Sequence, residues 1–192
     1  MDDTLEKIFG GVARVKIMRL FLFNPEASFL MSEIVTRSKV DAGRARREVS
    51  FLLNVGLLKK NARGGKPTWH LNEKFPYLVE FQRLLLQTSL INTQNGIIKK
   101  LSRIGRLKLV VLSGLFKDQQ ESRLDILVVA DGAKKGVTES TMASIEAEMG
   151  KEIRYAVLDT TDFKYRLGVG DRLIRDVIDY PHEVMIDKVG FK

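Results

Sequence analysis

The order of apolar segments between Val12 and His70 is the feature that most constrains what this chain can fold into. Apolar residues recur at helical spacing in three successive segments, and two short extended segments follow with a Gly-Gly pair between them. The predicted elements are a helix over Val12–Phe23, an extended piece over Phe29–Met31, a helix from Ser32 to about Ser38, a helix over Ala42–Asn54, and strands over Leu57–Lys60 and Thr68–Leu71. Ser32 and Asp41 are the expected N-caps, because their side chains accept hydrogen bonds from the first helical amides.

Positive charge concentrates in the same part of the chain. Between Thr36 and Pro67, Asp41 and Glu48 oppose nine cations, which are Arg37, Lys39, Arg44, Arg46, Arg47, Lys59, Lys60, Arg63 and Lys66. The window therefore carries nearly the whole net charge of +8. Excess positive charge suits a polyanionic partner, since each cation placed near a phosphate releases a condensed counterion.

Three helices followed by a hairpin is the element order of a winged helix-turn-helix, and in helix-turn-helix proteins the later helix enters the major groove. On a helical wheel, Arg44 and Arg47 lie opposite the apolar side of the predicted helix over Ala42–Asn54, with small residues beside them. We therefore predict that this part of the chain binds double-stranded DNA. The expected DNA-binding residues are Arg37, Lys39, Gly43, Arg44, Arg46, Arg47, Ser50, Arg63 and Lys66.

Two side chains of the same helix depart from this division into an apolar side and a basic side. Arg46 lies nearer the apolar edge, where we expect it to reach a phosphate or an internal carboxylate. Phe51 falls on the polar side, and contact with a partner subunit is one explanation. A homodimer fits this class of DNA-binding protein, and the first helix and the Tyr77–Leu86 segment are the expected interface. The alternative is that both faces pack inside one chain.

The segment RVKIMRLFLFNPEASFLMSEIVTRSKVDAGRARREVSFLLNVGLLKK carries a resemblance to a known family. With its flanks, from Ile8 to His70, it resembles the ArsR-like winged-helix regulators of bacteria and archaea. That resemblance implies a second helix at the S-E-I motif and a recognition helix that ends in L-x-x-x-G-L-L. Metal-sensing members use cysteines or paired histidines, and this chain has none at the matching positions, so we expect no metal site.

The second half of the chain has a different pattern. Short apolar segments rich in valine and leucine alternate with helical segments, which predicts an α+β fold around a small mixed sheet. The predicted strands are Leu107–Leu112, Leu124–Ala130, Ile153–Leu158 and Val184–Ile186, and the predicted helices are Ile97–Ile104, Thr138–Met149 with Thr138 as its cap, Thr161–Leu167 and Asp171–Ile178. A polar segment, Thr88–Asn95, suggests the boundary between a domain over residues 1–90, which ends in a linker helix, and one over residues 91–192.

The segment LKLVVLSGLFKDQQESRLDIL, from Leu107 to Leu127, resembles the opening of the nucleotidyltransferase fold. Together with the tail TTDFKYRLGVGDRLIRDVIDYPHEVMIDK, it makes the chain similar to small prokaryotic proteins described as transcriptional regulators with a nucleotidyltransferase-like domain. Such enzymes hold divalent metal ions with two carboxylates at i and i+2 of a strand. Here the matching positions are Arg123 and Asp125, and the Gly-Ser turn is replaced by Gly114-Leu115. We therefore expect no catalytic residues.

Two uses of the altered site remain open from the sequence. Gly114, Arg123, Asp125 and Arg154 are the candidate residues of a ligand pocket, in which arginines replace the metal and bind an anionic or nucleotide effector. The alternative is an Arg–Asp ion pair that closes the site. We expect a DNA-binding regulator with a non-catalytic second domain for sensing or oligomerisation. A divergent nucleotidyltransferase targeted by a winged helix, and a winged helix that contacts only proteins, are the alternatives.

Composition limits the remaining function classes. The chain has no cysteine, which excludes disulfides and thiolate sites and fits a reducing compartment, so we expect a cytoplasmic protein without a cofactor. No apolar segment approaches the ~20 residues of a membrane span, and the acidic start is unlike a secretory signal peptide. We therefore expect no membrane partner.

Overall fold

A computed structural model describes residues 4–62, 65–117 and 122–191, except the side chains of residues 86–95. The fold is α+β with a mixed sheet, which confirms the predicted class at that level. Contacts divide the chain into two units. Unit 1 comprises Met1–Asn92 and Ala143–Glu152, and unit 2 comprises Thr93–Met142 and Ile153–Lys192.

Unit 1 contains helices followed by a small antiparallel sheet. Its elements are α1 (Thr4–Ile8), α2 (Val12–Leu22), β1 (Ser28–Leu30), α3 (Met31–Ser38), α4 (Ala42–Asn54), β2 (Leu58–Asn61), β3 (Thr68–Leu71) and the first part of α5 (Leu78–Leu101). β3 lies between β1 and β2 and pairs with both in antiparallel fashion. Helix α2 lies in the core, where seven of its eleven residues are buried, so those seven side chains are not available to a second copy.

Unit 2 is built around a four-stranded sheet. Its elements are the rest of α5, β4 (Arg106–Leu112), β5 (Ile126–Asp131), α6 (Lys135–Met149, which continues into unit 1), β6 (Tyr155–Leu158), α7 (Thr160–Gly168), α8 (Arg172–Asp179) and β7 (Glu183–Asp187). The strand order is β6-β5-β4-β7, with β5 parallel to β6 and the other pairs antiparallel. Leu109, Val111 and Leu127 pack against Phe163 and Ile174, which places α7 and α8 on one face of the sheet.

Several predicted boundaries are wrong for identifiable reasons. Leu30, not Ser32, is the N-cap of α3, because the Glu33 carboxylate accepts a hydrogen bond from the Leu30 amide at 2.6 Å. Thr138 lies inside α6, which begins at Lys135. Helix α5 runs through the polar segment Thr88–Asn95 and ends at Leu101, so the separate helix predicted over Ile97–Ile104 is its last part. Helix α1 was not predicted.

Two glycines of unit 2 provide a matched test of packing. A Cβ atom at Gly105 would lie 2.6 Å from the carbonyl oxygen of Asp131, whereas one at Gly136 in α6 would meet nothing within 4 Å. We expect Gly105→Ala to lower the free energy of unfolding by about 2 kcal/mol, because the backbone must shift to admit the methyl group. Gly136→Ala should raise it by about 0.5–1 kcal/mol, because alanine favours the helix. Equal midpoints in urea for the two variants would contradict this account.

Candidate functional site

Helix α4 presents its polar side to solvent. Asp41 caps it as predicted, since its carboxylate accepts a hydrogen bond from the Arg44 amide at 2.9 Å. Ala45, Glu48, Val49 and Leu52 are buried. The opposite side exposes Gly43, Arg47, Ser50 and Asn54, which follow one another at intervals of three or four residues. We call these four residues the α4 face. Arg47 is the arginine of this set, and Arg44, Arg46 and Phe51 are exposed beside it.

Arg44 leaves the α4 face and lies beside the turn between α1 and α2. A Cβ atom at Gly11 would be 2.8 Å from Nη2 of Arg44, and Gly11 has a φ of +122°. Glycine is needed at this position for two reasons. It adopts the positive φ readily, and its lack of a side chain leaves room for the guanidinium of Arg44. The helical wheel placed Arg44 and Arg47 together, whereas the structure gives them different surroundings. Arg47 is on the α4 face, and Arg44 is on its flank.

Arg14 holds α4 against α2. Its Nε donates a hydrogen bond to Oε2 of Glu48 at 2.7 Å, and its guanidinium lies 3.7 Å from the centre of the Phe51 ring. Phe51 thus covers a cation of its own chain, which accounts for an aromatic residue on the polar side of the helix. Glu48, the buried carboxylate of α4, pairs with Arg14, and Arg46 is exposed.

The remaining predicted DNA-binding residues differ in their surroundings. Arg37 forms an ion pair with Glu152 at 3.2 Å, and its guanidinium lies 5.1 Å from the centre of the Phe29 ring, both within unit 1. Lys39 ends α3 with a φ of +51° in the turn that leads to α4. Lys66 is exposed in the β2–β3 turn, as are Lys59 and Lys60 on β2. Arg63 lies outside the described residues.

The contacts of Arg14 predict a stability effect that other arginines of the region should not share. Arg14→Met leaves the buried Glu48 carboxylate without its side-chain donor, so we expect the free energy of unfolding to fall by about 2 kcal/mol. Arg46→Met, at an exposed position of α4, should change it by less than about 0.5 kcal/mol. Urea titrations of both variants measure the difference. A loss at Arg46 as large as that at Arg14 would show that the Glu48 contact does not stabilise unit 1.

The second candidate region surrounds the buried Asp125 of unit 2. Its carboxylate accepts hydrogen bonds from the Leu115 amide at 2.7 Å, from the Arg154 amide at 2.8 Å, and from Nε and Nη2 of Arg154 at 3.0 and 2.8 Å. Both oxygens are therefore engaged by donors of the protein. The sequence left open a pocket or an ion pair, and the structure shows the ion pair.

Gly114 and Arg123 complete the surroundings of Asp125 in different ways. Gly114 has a φ of +47°, and a Cβ atom there would fall 2.2 Å from Oδ1 of Asp125, so only glycine leaves room for the carboxylate. Arg123 precedes β5 and turns to Asp176 of α8. Its amide donates to that carboxylate at 2.8 Å, and its Nε lies 3.8 Å from Oδ1. The two arginines thus have separate carboxylate partners. Asp176 was missed because 53 residues separate it from Arg123.

The protonation of Asp125 depends on Arg154. Burial acts to raise the pKa of this carboxyl, but the hydrogen bonds from the Arg154 side chain and from the two backbone amides outweigh it, so the pKa lies below its ordinary value. The same contact raises the pKa of Arg154. Because the unfolded carboxyl titrates near pH ~3.9, the stabilisation is complete above that pH and is lost as the pH falls through the lower folded value.

Replacing Arg154 should therefore have a pH-dependent effect. We expect Arg154→Met to lower the free energy of unfolding at pH 7 by about 2 kcal/mol, because two hydrogen bonds to a buried charge are lost. The difference in the free energy of unfolding between the parent and Arg154→Met should shrink as the pH falls below about 4 and the Asp125 carboxyl becomes protonated. Arg166→Met removes partly exposed ion pairs to Asp162 and Asp171 and should cost less than Arg154→Met, because solvent screens these charges. A difference between parent and Arg154→Met that is independent of pH would argue against this role.

Searches of the described residues found no metal site and no membrane span. Within these ranges no three His, Cys, Asp or Glu side chains form a group that could hold a metal ion. No helix in the described part of the chain is both long and apolar enough to cross a membrane. No protein-family model, curated protein or solved structure matches this chain.

Proposed function

We propose that unit 1 is a winged helix-turn-helix that binds double-stranded DNA and that the protein is a transcriptional regulator. The α4 face carries this proposal. An α-helix fits the major groove, which is about 12 Å wide, and the short side chains of Gly43 and Ser50 let the helix backbone approach the base edges. Arg47 lies between them and has a planar donor group suited to guanine or phosphate.

The surroundings of α4 support the same proposal. Arg44 lies on the flank of the helix, where a groove-bound helix faces the phosphate backbone. The β2–β3 hairpin adds Lys59, Lys60 and Lys66, all exposed. These cations give affinity without sequence selectivity, and Arg47 is the base-reading side chain in this proposal.

A homodimer is part of the proposal, since paired recognition helices bind successive half-sites about one helical turn apart. With α2 in the core, the start of α5 is the better candidate for its interface. Tyr77 and Val79 leave 61% and 68% of their surfaces exposed, and Leu84 is exposed further along the helix. Unit 2 is a non-catalytic module in this proposal, because the Asp125 carboxylate is already occupied by Arg154 and Leu115.

The proposal is tested by retention of the protein on random duplex DNA as a function of salt. Each phosphate contact should contribute about −0.9 to the slope of log affinity against log salt. We expect Arg44→Ala/Arg47→Ala to weaken binding by about tenfold or more, because a phosphate contact and a base contact are both lost. Lys74→Ala/Arg83→Ala is the matched control, since it removes two exposed cations of unit 1 that lie outside α4.

Two results would contradict the proposal. The first is a parent protein that is not retained even at low salt, which would favour a unit that contacts only proteins. The second is equal weakening by the α4 pair and the control pair, which would mean that α4 does not enter the groove.

A further inference from the structure

A second concentration of positive charge lies in unit 2. The ten residues from Lys99 to Lys108 contain five cations and no acid. They include the end of α5, the turn around Gly105 and the start of β4. A helix C-terminus favours cations, which explains Lys99 and Lys100 at the end of α5. It does not explain the cations on and after the turn.

The fold brings further cations to the same end of the sheet. A Cβ atom at Gly105 would lie 2.6 Å from the Asp131 carbonyl and 3.2 Å from the Ala133 amide, so the turn that carries Lys134 and Lys135 lies against Gly105. The amide of Lys188 donates a hydrogen bond to the carbonyl of Lys108 at 2.7 Å. Three segments that are distant in sequence therefore meet here. We call the resulting set the Gly105 surface, and its members are Lys99, Arg103, Arg106, Lys134, Lys135 and Lys188, all of them exposed.

Three carboxylates lie near the Gly105 surface, and one of them, Asp131, interacts electrostatically with Lys108 and Arg106. Asp131 accepts hydrogen bonds from the amide and the hydroxyl of Thr160 at 3.1 and 2.7 Å. Asp187 accepts from the amides of residues 189–191. Glu139 lies 3.9 Å from Lys135 as an exposed pair on one helix. The six cations outnumber these three carboxylates, so a net positive surface remains. Arg103 and Arg106 flank Gly105 in the chain, and Lys134 follows Ala133, whose amide lies beside Gly105.

We propose that the Gly105 surface binds the phosphate backbone of double-stranded DNA, independently of α4. Its members are arginines and lysines, which neutralise phosphates and release counterions without regard to sequence. The segments that carry these cations, residues 99–108, 131–137 and 187–190, contain no aromatic residue, whereas surfaces that bind single strands combine cations with aromatic stacking platforms. Val137 is the exposed large apolar residue in these segments, and one valine provides little of the apolar face that inserts into a membrane interface. The chemistry therefore fits a duplex backbone.

The experiment compares full-length variants on random duplex DNA over a range of salt concentrations. The surface variant is Arg103→Gln/Arg106→Gln/Lys134→Gln. Its control is Lys164→Gln/Arg172→Gln/Arg175→Gln, which removes the same charge from exposed positions of α7 and α8 in the same unit. Each set is also combined with Arg44→Ala/Arg47→Ala. We expect the surface variant to reduce the magnitude of the salt slope by about 2–3, because up to three phosphate contacts are lost, and the control to change it by less than one.

The combined variants separate this proposal from the function proposed for unit 1. Residual salt-dependent binding of the α4 variant that the surface substitutions remove would support the Gly105 surface. It would do so even if the α4 substitutions themselves had no effect, which would overturn only the proposal for unit 1. A surface variant with the same salt slope as its control would overturn the inference while leaving the α4 proposal intact. Binding that depends on these residues with duplex RNA or single strands, but not with duplex DNA, would also overturn it.

Discussion

The burial of α2 at the centre of unit 1 is the constraint on which the candidate DNA-binding surface depends. Ile17, Met18 and Phe21 are removed from water there, and each such side chain contributes about 1.5–3 kcal/mol when fully buried. Because α3 and α4 both pack against α2, their apolar sides are committed to the core. The polar side of α4 must then face solvent. The position of Arg47 on the surface is thus a consequence of what α2 buries.

Polar contacts fix the rotation and the approach of α4 more narrowly than apolar packing does. Glu48 is nearly buried on this helix and would be costly without a partner, so its contact with Arg14 restricts how α4 can turn. Phe51 and Gly11 then give the arginines of the region different surroundings. Arg14 is covered by the Phe51 ring, and Arg44 is accommodated over the glycine turn. Arg47 and Arg46 are left exposed to solvent, and Arg47 lies on the α4 face. Arginines that look alike in the sequence therefore have different contacts in the folded unit.

Unit 2 shows a related use of charge. A buried carboxylate at the start of β5 is kept ionised by an arginine from the start of β6, and a glycine supplies the space for both. Such a pair ties two neighbouring strands together, and removing one partner leaves the other poorly solvated. The cations on the surface of the unit differ from this pair, because they are exposed to solvent. They gather around Gly105 with little apolar surface, which suits a partner that carries many charges and offers no pocket.

The sequence by itself determined the order of the elements from α2 to β3, the extent and cap of α4, the α+β class, and the concentration of charge near α4. These features are local, since helical periodicity, capping and the alternation of strands act over a few residues. It did not separate Arg44 from Arg47, pair Arg14 with Glu48, or assign Arg123 to Asp176, because those partners lie 33 to 53 residues apart. Nor did it gather Arg106, Lys134 and Lys188 at one end of a sheet. Only tertiary structure decided these contacts, because side chains that are distant in sequence meet only after the apolar faces have packed.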